Sequence, residues 1–172
     1  GVECYLLSRY IYEGDNSYVL NMDKADYDIY HSLLRNPVNK LLGSRLSNLY
    51  FKRIVSKVAK KYQVDWIINH TYDLCPAIPI SKDWNTAQVL HWSINGYENN
   101  LSSKVSQIPM SVRLFSSLSL RQNVSCWHKS LSKFDKVLCL TSMAISEVID
   151  IIGLSKEKDV TTIPNPIMQS EP

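Results

Sequence analysis

Residues 136–163, KVLCLTSMAISEVIDIIGLSKEKDVTTI, decide the fold. An apolar run from Val137 to Leu140 meets Ser142, a helix-capping residue type, and an apolar-periodic stretch from Ala144 to Ile152 that stops at Gly153. A β-rich run, Val160 to Ile163, follows. Strand, helix and strand in that order imply a crossover between parallel neighbours, because a tight hairpin can only join antiparallel strands.

Working outward, the same alternation recurs. Residues 64–69 and 87–91 read as strands and residues 111–133 are helix-compatible. Residues 45–62 place Leu46, Leu49, Tyr50, Ile54, Val55, Val58, Ala59 and Tyr62 on one apolar stripe. A further apolar run at residues 2–7 gives that helix a strand on each side. The pattern predicts an α/β, Rossmann-like domain, with a mostly parallel sheet and helices on both faces. It spans residues 1–163, and residues 164–172 begin a linker. Residues 9–44 and 70–86, rich in Asn, Asp, Tyr, Ser and Pro, read as long loops with short elements.

The 172 residues carry 45% hydrophobic and 20% charged side chains, the profile of one globular core. No apolar run is long enough to span a membrane, and no basic and apolar leader opens the chain at Gly1. Cys4, Cys75, Cys126 and Cys139 lie far apart with no metal-ligand spacing, so no metal site is expected. Cys4 and Cys139 sit in apolar runs and read as buried, reduced thiols. Three N-x-[ST] triplets, at Asn69, Asn100 and Asn123, read as chance matches in a chain without an export signal.

Ligands of open parallel sheets bind beyond the carboxyl ends of the strands. There the sequence places Asn69-His70-Thr71-Tyr72-Asp73, then His91-Trp92-Ser93-Ile94, then Thr141-Ser142. Histidines at two successive strand ends suit hydrogen bonding to a sugar hydroxyl or phosphate, or proton transfer near neutral pH. A histidine bonded to a loop carbonyl is the equally weighted structural alternative. His31 and His128 read as structural. Ser142 at a helix start offers free N–H groups to an anion, or simply caps the helix. No glycine-rich phosphate loop, zinc-protease motif or nucleophile elbow occurs.

Between His31 and Val64 the chain has eight Lys or Arg and no acid. Lys52, Arg53, Lys57 and Lys60 on the 45–62 helix form a candidate contact with an anionic membrane surface, against the plainer reading of a solvated face. Nucleic acid is the weaker option, since no recognition motif accompanies the charge.

Residues 136–167, ending in Ile163-Pro164-Asn165-Pro166-Ile167, resemble the close of the N-terminal domain of family 4 retaining glycosyltransferases, which have the GT-B fold. More loosely, Gly1 to Leu7 resembles that family's second strand and Val89-Leu90-His91 the strand whose terminal His faces the cleft. The resemblance implies the acceptor-side half of an enzyme that moves a sugar from a nucleotide-sugar donor to a glycan or lipid-linked acceptor, with retention. Bacterial surface polysaccharide synthesis, in the cytoplasm at the inner face of the membrane, is the implied setting. It makes His91 the catalytic residue, sets His70, Thr71, Ser93 and Ser142 along the cleft, and makes Asn165 the domain crossing. It needs no metal and no cofactor beyond the donor substrate. The family's first strand and its phosphate loop would precede Gly1, and its nucleotide-binding domain would follow Pro172. The alternative is a non-catalytic α/β module for a sugar phosphate or a protein partner. A following domain with two glutamates about seven residues apart, as the family has, separates the two.

Overall fold

The computed structural model describes residues 3–7, 18–153 and 159–163. In chain order these form β1 (Leu6–Leu7), β2 (Val19–Leu20), α1 (Lys24–Arg35), α2 (Pro37–Leu41), α3 (Arg45–Tyr62) and β3 (Trp66–Asn69). A 3-10 turn (Tyr72–Ala77) then leads to β4 (Asn85–Leu90), α4 (Ile94–Ser106), α5 (Met110–Leu131), β5 (Lys136–Cys139), α6 (Ser142–Ile152) and β6 (Val160–Thr162). The result is an α/β Rossmann-like domain built on a four-stranded sheet, order β3-β4-β5-β6, with every pair parallel.

Strand alternation fixes what each face meets. Ile67, Leu90, Val137 and Cys139 pack with Ile78, Ile94, Leu131, Phe134, Ala144 and Val148 in the main core. Trp66 and Ile68 fall on the alternate positions and are exposed. A second core joins Met22, Tyr30, Phe51, Ile54, Val55 and Ala77, which ties α1 and α3 to the turn after β3.

The α3 helix follows the predicted span, but its stripe is not wholly inward. Phe51, Ile54, Val55 and Ala59 are buried, whereas Leu46 and Leu49 face solvent. Asn39 on the preceding helix supplies its N-terminal cap. That side chain is fully buried, accepts hydrogen bonds from the N–H groups of Leu46 and Ser47, and donates to Leu33 O and Ser47 Oγ. Gly43 (φ +62°) and Ser44 (φ 56°) make the left-handed turn between α2 and α3. Gly43 packs so closely on α5 that an added Cβ would lie 3.1 Å from the Gln122 carbonyl carbon, so glycine answers both the φ and the contact.

Four expectations need correcting. The run at residues 2–7 does not extend the main sheet: Leu6–Leu7 pairs in parallel with Val19–Leu20 as a separate two-stranded sheet. An apolar space of about 220 Å³ beside β1 and β3, lined by Leu6, Leu20, Val58 and Trp66, adjoins both. The stretch read as loop contains α1 and α2, because Asp23 and Asn36 accept hydrogen bonds from the first-turn N–H groups and Pro37 suits a first turn. Thr141 rather than Ser142 caps α6, its Oγ1 accepting from Ala144 N at 3.3 Å. Cys4 is exposed, not buried, while Cys139 is buried as expected.

Candidate active site

The parallel register sets Asn69 beside Gln88, so the residues that follow both strands emerge together at the carboxyl edge. Beneath them lies a buried polar network. Asn69 Nδ2 donates to Gln88 Oε1 (2.6 Å) and to Thr71 O (2.8 Å), and Asn69 Oδ1 accepts from Thr71 N. Gln88 Oε1 also accepts from Cys75 Sγ (3.0 Å), and Gln88 Nε2 donates to Val89 O. One side-chain pair therefore fixes the Thr71 backbone just after His70 and the Val89 carbonyl two residues before His91. Burial pushes the Cys75 thiol well up and the Cys139 thiol to about 11, so neither is a thiolate nucleophile at neutral pH.

On this platform His70 and His91 stack with ring centres 5.3 Å apart, and His70 Nδ1 lies 3.1 Å from His91 Nε2. One nitrogen of that contact must carry the proton and the other accept it. The pair lines a pocket of about 120 Å³ with Thr71, Asp73, Ser93 and Tyr97. Its wall includes Tyr72 and Tyr97, which pack on each other and on Trp127 behind them, and Tyr72 Oη donates to Glu98, which also meets His128 Nε2 at 2.7 Å. Burial, then the Glu98 charge, holds the Tyr72 phenol far above its ordinary value, so it remains a donor.

Partial burial, then the charge of His91, lowers the His70 pKa. The folded chain thus binds this proton less readily than the unfolded chain. His70 leaves stability intact above about pH 6.5 and erodes it as pH falls through that value towards the folded pKa. Scanning calorimetry of wild type and His70→Asn between about pH 7.5 and 5 should show a shallower acid decline in the variant. Identical slopes would remove His70 from the acid response.

The structure brings His70, Thr71, His91 and Ser93 to one pocket, but gives Ser93 other work. Its Oγ accepts from Gly96 N as the cap of α4 and donates to Glu147 Oε1 at 2.7 Å. Glu147 Oε2 accepts from Ile94 N at 2.6 Å, so a carboxylate from α6 already occupies this helix start. Sequence reasoning missed Glu147, which lies 54 residues from Ser93. It also missed Asn69 and Gln88 as the platform, although Asn69 ends one apolar strand run and Gln88 interrupts another, where a polar side chain is a signal. Ser142 does not line the pocket, and Asn165 and the 164–172 linker lie outside the described residues. Lys52, Arg53, Lys57 and Lys60 are on α3, away from the pair; Lys57 Nζ lies 3.9 Å from Asp23 in an exposed pair. Among the described residues no group of three or more His, Cys, Asp or Glu could hold a metal ion. No described helix is long and apolar enough to cross a membrane.

Compared with known proteins, the chain matches no family model, no curated protein and no solved structure.

Proposed function

We propose that this chain is the acceptor-side half of a retaining glycosyltransferase, with the nucleotide sugar held mainly by a second domain. The observation that carries the reading is the touching imidazole pair at two adjoining carboxyl ends of a parallel sheet, where such folds bind ligands. The pair offers a donor and an acceptor side by side without a fixed charge, which suits a neutral sugar hydroxyl better than a phosphate. The aromatic wall of Tyr72 and Tyr97 gives a sugar ring apolar faces to lie against. Glu147 at the start of α4 repels a phosphate from the helix end closest in sequence to His91. In this reading His91 contacts the reacting sugar, His70 sets its tautomer, and no cofactor takes part. The acceptor is a glycan or a lipid-linked glycan of surface polysaccharide assembly, met in the cytoplasm.

Calorimetry and histidine-ring NMR on this chain test the proposal. Oligosaccharide acceptors are expected to shift the His70 and His91 ring signals, while nucleotide sugars give little or no heat. Micromolar binding of a nucleotide sugar by this chain alone would overturn the division of labour. Silence of both histidines towards every glycan would overturn the site.

A further inference from the structure

We propose that the surface formed by α2, the first turns of α3 and the first half of α5 docks on an anionic lipid surface. These parts of the three elements carry Lys40, Arg45, Lys52, Arg53, Arg113 and Arg121 and no Asp or Glu. The fold joins them. Ser119 Oγ on α5 donates to Lys40 O on α2 at 2.9 Å, and Gly43 packs on Gln122. Two basic stretches that lie 79 residues apart in the chain are therefore neighbours in the fold.

The same three elements expose leucines. Leu41, Leu42, Leu46, Leu49, Leu114 and Leu118 are 41–72% exposed. Leu41 and Leu42 lie between the two points where α2 meets α5, opposite the turn that carries Leu118. Leu49 has Arg45, Lys52 and Arg53 one turn away along α3, the spacing at which helix side chains are neighbours. Aliphatic side chains set among cations match the boundary between acyl chains and anionic headgroups; Asp26 of α1, which accepts from Tyr50 Oη at 2.6 Å, borders the α3 part of the surface. A protein partner's polar, mixed-charge surface matches it less well.

This location differs from the one the sequence suggested. The last turns of α3 carry no leucine, Lys57 faces Asp23, and Lys61 lies 5.1 Å over the Tyr62 ring. The docking surface sits at the opposite end of that helix. Behind it a cleft of about 430 Å³ runs from Lys40 and Ser119 to Asp73 and Tyr97, both of which also line the histidine pocket. A lipid-anchored substrate thereby gains a route from bilayer to imidazoles. That route rests on the sugar-transfer reading; the docking does not.

Co-sedimentation with vesicles of phosphatidylcholine alone, or mixed with phosphatidylglycerol, tests the docking on the full chain. Wild type should bind the anionic vesicles and be released by salt. A Leu46→Gln/Leu49→Gln/Leu114→Gln/Leu118→Gln variant should bind about tenfold more weakly or worse, and Arg45→Gln/Arg53→Gln should lose about tenfold. All these side chains are exposed, so thermal melting should report intact folds. Lys60→Gln/Lys61→Gln should bind as wild type does. No binding by wild type at low salt, or full binding by the leucine variant, would overturn the proposal. So would a lysine variant as weak as the arginine one, or a wild-type dimer that the leucine changes dissolve without any vesicle binding.

Discussion

On the sugar-transfer proposal, His91→Ala is expected to lower turnover by about 10²–10⁴-fold in a protein that joins this chain to a donor-binding domain, the range for losing a positioned proton-transfer group. The fold should hardly notice. His91 is exposed and stacks on the His70 ring, so the substitution should cost no more than about 0.5 kcal/mol, as for other surface changes. Turnover and thermal midpoint measured on the same preparation separate the readings. A large fall in midpoint with unchanged activity per folded molecule would make His91 a structural residue. His91→Asn, which keeps a side-chain donor but cannot carry a proton near neutral pH, should recover binding without recovering turnover.

The second large effect lies beneath the pair. Gln88→Ala is expected to destabilise the chain by about 3 kcal/mol, from a cavity at a fully buried position plus the lost hydrogen bonds. Asn69 Nδ2 and Cys75 Sγ lose a shared acceptor, and Val89 O loses its side-chain donor. Urea denaturation measures the loss directly, and in a domain of this size the thermal midpoint should fall by roughly 10 °C. Gln88→Met keeps most of the volume, so its smaller loss isolates the polar share. Because Asn69 also fixes Thr71, the His70 ring signal should broaden or shift in both variants. A cost under about 1 kcal/mol would mean that the strand ends are held by main-chain pairing alone.

Much of this architecture is local and therefore legible in one dimension. The α3 stripe, the strands at Trp66, Asn85 and Lys136, and the stop at Gly153 follow from periodicity and capping chemistry between residues a few positions apart. Local chemistry also explains the misses. The text from Asp23 to Arg45 is dense in Asn, Ser and Tyr, which weaken a helical pattern, but Asn36 and Asn39 act as caps and turn that polarity into three successive helices. The α4 helix was hidden because its apolar face is narrow: Ile94 alone is fully buried, so the period never stood out.

The sequence by itself determined an α/β domain with parallel strands and histidines at two strand ends, because side-chain period and crossover length are properties of neighbours along the chain. Only the tertiary structure decided what those residues meet. It paired β1 with β2 outside the main sheet, brought His70 within 3.1 Å of His91, and gave Ser93 to Glu147 across 54 residues. It also turned Leu46 and Leu49 outward on a stripe that looked wholly internal. Register, sheet order and helix docking are set by the burial of many distant side chains at once, and no window of the sequence contains that balance.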